Sequence, residues 1–331
     1  MAYAVVNPFS NFSGRPSASG AGVLVAAAND EFSGEGWLYS SSDGGATWVP
    51  RQLVKQYSED GVIWSGNAFY VDAYDDPYYK VWRSTDGITW TAVFSSTTIS
   101  RKVVGGGDGN VYIYELSYIT YTVANYRSPD GVTLEPLVIN LPFNTNGDFG
   151  EFTKVIKTSG TSYVGMDYAT VFTSPDGLNF TEILFPQFEN IFYSAPRNLF
   201  FAVIQDPNTY ETVFVSSPDL VTLTLITLPQ PFNVWSPIFI GSGEYIALVA
   251  KSSGETPPDV RIMVPGSLIL EQFASDEFGG FLMDYDVYWA PGASPGEFLF
   301  TSKDSYPYSL AKITFSTPSS FWTNFKGQYE T

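Results

Sequence analysis

The stretch "SSDGGATW" at residues 41–48 is a polar turn ending on a tryptophan, and near-copies of it return along the chain. They read "STDGITW" at 84–90, "SPDGVTL" at 128–134, "SPDGLNF" at 174–180 and "SPDLVTL" at 217–223. Their aspartates, Asp43, Asp86, Asp130, Asp176 and Asp219, stand 43, 44, 46 and 43 residues apart. A period of this length marks one supersecondary unit stacked on copies of itself. Two more steps reach "RIMVPGSLIL" at 261–270, which keeps the frame without the aspartate, and "STPSSFW" at 316–322, with Pro318 in its place. Five intact and two decayed copies make seven repeats.

Each repeat holds four short apolar runs. In the second they are "GVIW" (61–64), "AFYVDAY" (68–74), "YKVWRS" (79–84) and "TWTAVF" (89–94). In the seventh they are "YDVYWA", "EFLFTS", "SLAKITF" and "FWTNF" (321–325). Val, Ile, Thr, Tyr and Phe dominate these runs, as strands prefer, and helical periodicity is absent. Four strands joined by hairpin-length links make one blade, so the reading is all-β: a seven-bladed β-propeller of four-stranded antiparallel blades. One domain of 331 residues is expected, with blades near 1–53, 54–95, 96–139, 140–185, 186–227, 228–274 and 275–331.

The repeated turn falls between the third and fourth strands of each blade. Its aspartate can accept backbone N–H bonds across the turn. The residue after it must tolerate positive φ, and four of the five copies use glycine there. The last position, Trp48, Trp90, Leu134, Phe180 or Leu223, is expected as an apolar plug between blades. This Ser-x-Asp-x-Gly-x-x-Trp string, with its form one residue shorter, resembles the Asp-box, or BNR repeat, of sialidase-like propellers. The resemblance covers roughly the whole chain. It implies that Asp43, Asp86, Asp130, Asp176 and Asp219 are folding devices on the face away from any ligand.

Composition narrows the chemistry. Histidine and cysteine are both absent, which removes Ser-His-Asp and Cys-His nucleophiles together with zinc, copper and haem sites. Net charge is −18, so nucleic acid and anionic lipid are poor partners. No apolar run is long enough to span a membrane. "MAYAVV" lacks the basic start of a signal peptide. No cofactor is expected.

Function is expected at the opposite face, on the turns between second and third strands. Their tips are "NDEF" (29–32), "YDDPYY" (74–79), "LSYIT" (116–120), "MDY" (166–168), "QDPNTYE" (205–211), "GETPPD" (254–259) and "KDSYPY" (303–308). Six of the seven carry an acid. The expected binding rim is Asp30, Glu31, Phe32, Tyr74, Asp75, Asp76, Tyr78, Tyr79, Asp304, Tyr306 and Tyr308, forming one arc across the last, first and second blades. Tyrosine rings with nearby carboxylates suit a protein surface or a sugar.

The resemblance also raises sialidase chemistry, which would need three arginines on the substrate carboxylate and an Arg-Ile-Pro string. Here only "GRPS" (14–17) comes near, and Arg83 and Arg127 directly precede Asp-boxes. A two-carboxylate glycoside hydrolase could draw on Asp75, Asp76, Asp167, Asp206, Asp284 or Asp286, with nothing to distinguish a working pair. "NTNGDFGE" (144–151) offers Asn144, Asn146, Asp148 and Glu151 as a loose calcium loop, although a glycine-rich turn explains it more simply. "GGGDGN" (105–110) reads as a hairpin turn.

The expected function is therefore non-enzymatic: a structural and interaction propeller that docks other protein subunits of a larger assembly, or a surface glycan. The missing leader and a chain running from Met1 to Thr331 suit a virion component on a virus or phage tail or capsid exterior. The alternative is a lectin or glycoside hydrolase of the same superfamily. "AYAVV" (2–6) is expected to open the first blade or to pair beside "FWTNF", across a Ser/Gly/Pro loop that precedes "GVLVAAA".

Overall fold

The computed structural model describes residues 5–6, 12–20, 22–30, 36–43, 47–54, 56–57, 62–105, 108–140, 154–158, 163–167, 170–183, 188–205, 211–226, 228, 235–251, 260–269, 271–273, 287–291, 296–302 and 310–314. Among them every regular element is a strand, and no helix is long and apolar enough to cross a membrane.

The chain begins with β1 (Val5–Val6). The first sheet follows as β2 (Phe12–Gly20), β3 (Val23–Asp30), β4 (Gly36–Ser41) and β5 (Val49–Val54). In the second, β6 (Gln56–Tyr57) and β7 (Ile63–Trp64) both pair with β8 (Phe69–Asp75), which leads to β9 (Tyr78–Ser84) and β10 (Thr91–Ser96). The third runs β11 (Ile99–Gly105), β12 (Val111–Ser117), β13 (Val123–Ser128), β14 (Glu135–Pro136). In the fourth, β15 (Val138–Asn140) joins from outside, parallel to β19, before β16 (Lys154–Lys157), β17 (Tyr163–Asp167), β18 (Thr170–Ser174) and β19 (Asn179–Ile183).

The fifth is β20 (Phe188–Ser194), β21 (Leu199–Gln205), β22 (Thr212–Ser217), β23 (Thr224–Leu225). The sixth is β24 (Trp235–Ser242), β25 (Tyr245–Lys251), β26 (Val260–Met263), β27 (Glu271–Phe273). In the last, β28 (Val287–Pro291), β29 (Glu297–Ser302) and β30 (Leu310–Thr314) take β1 as outermost strand. Among the described residues the strands thus pair into seven sheets, antiparallel throughout except for β15.

Two expectations about the N-terminal region need correcting. The Ser/Gly/Pro segment expected as a loop is strand β2. Its composition is poor for a strand, but Pro16 stands at a register shift between Pro16 and Ala18 on an edge strand, where a missing N–H is tolerated. With β2 opening the first sheet, "AYAVV" cannot. Instead β1 pairs with β30, Val5 opposite Ala311 and Val6 opposite Leu310, in the outer place foreseen for "FWTNF", which lies outside the described residues.

The repeated turns are held as their sequence dictates. Asp86 Oδ1 accepts the N–H groups of Ile88 and Thr89, both at 2.8 Å, and the Ser84 hydroxyl at 2.9 Å. Ser84 Oγ in turn accepts Gly87 N–H at 2.9 Å. The same set recurs at Asp130, Asp176 and Asp219. Asp43 accepts the Thr47 N–H and the Thr47 and Ser41 hydroxyls. Because these bonds favour the charged carboxylate, the backbone N–H of Thr133 first, then that of Val132, holds Asp130 down to about 2, against burial. Asp43, Asp86, Asp176 and Asp219 are lowered too, Asp43 chiefly by the Thr47 hydroxyl and the others chiefly by turn amides.

The turn also fits the sheet before it. Each turn serine sits opposite one residue of its sheet's second strand: Leu24, Phe69, Val111, Tyr163 or Phe200. The next residues along are Val25, Tyr70, Tyr112 and Val164. A Cβ on Gly131 would lie 2.8 Å from Tyr70 Cε1, and one on Gly177 only 2.5 Å from Tyr112 Oη. A side chain of one sheet thus occupies the space left by the glycine of the next, Val25 at Gly87 (Cγ2 at 2.8 Å) and a ring at Gly131 and Gly177. In the fifth turn the residue of the preceding sheet is Val164, and Leu220 stands where the other described turns have glycine. It is fully buried in one cluster with Val164, although its φ of 64° disfavours a side chain.

The plugs close the same seams. Trp90 packs with Val25, Leu38 and Phe69, and Phe180 with Val104, Tyr112 and Tyr163. Leu134 and Leu223 are partly buried against equivalent clusters.

Gly131→Ala should destabilise the protein by on the order of 2 kcal/mol or more in chemical denaturation, from forced left-handed backbone and overpacking on Tyr70. Leu220→Gly should also destabilise, by roughly 2 kcal/mol or more, despite the easier backbone. A Leu220→Gly protein of undiminished stability would refute the space-filling account. The turn carboxylates predict acid sensitivity as well. A folded pKa below the unfolded value, near 3.8 for Asp130, gives stability present above about pH 4 and lost as pH falls through about 2. Asp130→Asn should flatten the decline in Tm across that window.

Candidate functional site: a tyrosine ledge

Strand β9 separates two ends of the second sheet, with Tyr78 at one and Ser84, the start of the repeated turn, at the other. Six steps of about 3.3 Å put them roughly 20 Å apart. At the Tyr78 end, the hairpin β8–β9 turns through Asp76 and Pro77, with Tyr74 opposite Tyr79 and Asp75 opposite Tyr78.

Alternation along β9 divides the side chains between two faces. Val81, two residues from Tyr79, lies in the cluster shared with the third sheet. Tyr79 is accordingly held between Tyr74, ring centroids 4.8 Å apart, and Tyr118 of the third sheet, stacked at 5.2 Å. The Tyr79 and Tyr118 hydroxyls are hydrogen-bonded, which, with burial, pushes Tyr79 up to about 12. On the other face, Lys80 Nζ lies 5.9 Å from the Tyr78 ring and 5.6 Å from that of Trp82. Trp82 packs toward the first sheet.

The acids are less available than their number suggested. Asp75 is ion-paired with Lys80, and Asp76 accepts the Tyr74 hydroxyl at 3.2 Å. Burial first, then this bond, raises Tyr74.

The turn after β12 completes the ledge. Tyr121 N–H donates to Ser117 C=O at 2.8 Å, and Tyr118 N–H to Thr98 C=O at 2.8 Å, fixing the tip against the preceding loop. Its side chains open outward: Tyr118 is 42%, Ile119 70%, Tyr121 81% and Val123 43% exposed, beside Tyr78 at 45%.

Of the expected rim, the structure thus brings together Tyr74, Asp75, Asp76, Tyr78 and Tyr79. Asp30 ends β3. Glu31, Phe32, Asp304, Tyr306 and Tyr308 lie outside the described residues, as do Asn144, Asn146, Asp148 and Glu151. Tyr118 and Tyr121 lie outside the expected rim: "LSYIT" is the one tip without an acid, and Tyr118 gains its place by stacking on a ring of the second sheet. Among the described residues no group of three or more acids is placed to hold a metal.

The arginines are spread through the sheets. Arg51 Nε donates to Ser40 Oγ, Arg83 Nε to Tyr70 Oη and Arg101 Nε to Glu115. Arg127 bonds Glu135 and donates to Asp176 C=O at 2.7 Å, tying the third sheet to the fourth turn. Arg197 donates to the carbonyls of Glu244, Val264 and Ser267. It therefore braces the sixth turn, where the aspartate is missing.

At the level of sequence, no family model and no curated protein matches the chain. Solved structures do resemble it. An oligogalacturonate lyase from Vibrio parahaemolyticus superposes with a TM-score of 0.61 at 9% identity, over 94% of this chain and 96% of that one. A virginiamycin B lyase from Staphylococcus aureus gives 0.59 at 10% identity, over 95% and 99%. The β-propeller domain of the Trilobed protease from Pyrococcus furiosus gives 0.50 at 10% identity, over 90% and 91%. Likenesses at such identities speak for fold alone, and with the sheets described above they make this chain an all-β protein of the β-propeller fold.

Tyr118→Ala should unpack one side of Tyr79, costing about 0.5–1.5 kcal/mol. It should also let Tyr79 titrate below about 12, since the bond that raises it is gone. Phenolate absorbance against pH reads this shift, and an unchanged high-pH titration would deny the coupling of the two rings.

Proposed function

We propose that the seven sheets are the blades of one closed ring, that the repeated turns are Asp-boxes serving only to fold it, and that the protein is a non-enzymatic docking part. Its setting, in this reading, is a virus or phage particle, on the tail or capsid exterior, where the ledge receives another protein subunit. The observation carrying this is the run of exposed apolar and aromatic side chains Tyr78, Tyr118, Ile119 and Tyr121 at the end away from the turns. Water-facing clusters of this kind mark interaction surfaces. Tyrosines held by stacking lose little entropy on binding, and Ile119 favours a protein partner over a sugar.

The second reading, a lectin or carboxylate-dependent glycoside hydrolase, is favoured by open Tyr78 beside exposed Asp76. A flat ring next to a carboxylate suits a pyranose.

Replacing Tyr78 and Tyr121 with alanine should abolish incorporation into purified particles while leaving the denaturation midpoint nearly unchanged. Each truncation is expected to cost roughly 2 kcal/mol of docking energy. Normal incorporation of the folded double variant would defeat the docking reading. Turnover of aryl glycosides by the wild-type protein, lost in Asp76→Asn, would instead establish the second.

A further inference from the structure

Three pairs of tyrosine rings can be compared for what they could do to one another. Tyr112 and Tyr163 meet edge-on, with centroids 6.5 Å apart and planes at 62°. Tyr74 and Tyr79 are closer, at 4.8 Å, but tilted by 46°. Of the three, Tyr79 and Tyr118 are the near-parallel pair, at 5.2 Å and 21°.

Their hydroxyls differ in the same sense. Tyr163 donates to Asp108 at 2.7 Å and Tyr74 to Asp76 at 3.2 Å, so in those pairs a phenol is engaged by a carboxylate. The Tyr79 hydroxyl instead donates to that of Tyr118. Parallel rings whose oxygens are bonded also bring side by side the ring carbons next to those oxygens. These ortho carbons are the ones at which two phenoxyl radicals join.

Access and reactivity favour the same pair. Tyr118 is 42% exposed at the tip of its turn, open to an oxidant, while Tyr79 is flanked by the Tyr74 and Tyr118 rings. Accepting from Tyr79 first and Ser100 second lowers Tyr118 below an ordinary phenol, and a phenol nearer ionisation gives up an electron more readily. The Tyr118 N–H bond to Thr98 C=O fixes the backbone beneath the ring, so a radical formed there faces Tyr79 before it can meet another chain. The sequence has no cysteine and hence no disulfide between sheets. The seam between the second and third is packed around Val81, Val103 and Ile113.

We propose that Tyr79 and Tyr118 are a modification site, coupled by a peroxide-driven one-electron oxidant into a dityrosine staple that joins the second and third sheets. Each phenol gives up one electron and its proton, and the two radicals form one carbon–carbon bond ortho to the oxygens. The two ortho hydrogens then move to the oxygens, restoring both phenols. The electrons and protons released reduce one hydrogen peroxide to two waters. Tyr78 and Tyr121, which carry the docking reading, are not members of the pair, so this site stands apart from it.

Dilute full-length protein treated with a haem peroxidase and hydrogen peroxide tests this. The monomer should gain dityrosine fluorescence, lose two hydrogens in mass, and yield on digestion a linked pair of peptides containing Tyr79 and Tyr118. Its Tm should rise, because the staple closes a loop of chain across the seam. Tyr79→Phe and Tyr118→Phe, which keep their rings, should each lose the monomer signal, whereas Tyr74→Phe should retain it. The proposal fails if the link joins other tyrosines or only separate chains, or if Tyr118→Phe keeps the signal. It fails equally if the linked protein melts no higher than the unlinked one, or if the wild-type chain stays unmodified where free tyrosine dimerises. Peptide mapping of the wild-type protein decides the matter even where a variant does not fold.

Discussion

In the second, third and fourth turns one carboxylate holds two or more donors while the glycine beside it leaves room for a side chain of the preceding sheet. The demands are linked. Asp130 can bind the Val132 and Thr133 amides because Gly131 takes a φ of 80°, and that same glycine admits the Tyr70 ring. Local hydrogen bonding and the seam between sheets thus share one residue. The fifth turn shows the coupling by exception: Leu220 accepts an unfavourable backbone where filling the space beside Val164 is worth more.

Where a turn has lost its aspartate, other groups take over. The sixth has a Pro–Gly turn closed by Ser267 N–H to Val264 C=O, and Arg197, reaching across from the fifth sheet, donates to both residues' carbonyls. Arg127 makes a comparable bridge at the fourth turn. In the last sheet the outer strand comes from the other end of the chain, so the first and last parts of the sequence share one hydrogen-bonded ladder. Backbone bonds there do between the ends what side-chain packing does at other seams.

This division of labour explains why the two ends of the second and third sheets differ. The turn end is committed: its serines, aspartates and glycines are used up in backbone bonds and seam packing. The opposite end must only return the chain, and its hairpins can carry Tyr78, Ile119 and Tyr121 outward. Even there Tyr74 and Tyr79 are half structural, because stacking on Tyr118 ties adjacent tips together.

The all-β class, the repeat and the chemistry of the turns were legible in the sequence because they are local. A serine, an aspartate two residues on and a glycine next describe their own hydrogen bonds, and alternating Val, Tyr and Phe describe their own strands. Strand β2 was hidden because its Ser, Gly and Pro residues are recruited by pairing with β3, not by propensity. The place of β1 depends on a partner some 300 residues away. Tyr118 gave no sign of its role, since its importance lies in a ring contributed by another sheet. Sequence alone determined which bonds each residue could make with its neighbours. Tertiary structure decided which distant groups those residues would meet, because strand pairing and sheet packing join positions that no local pattern connects.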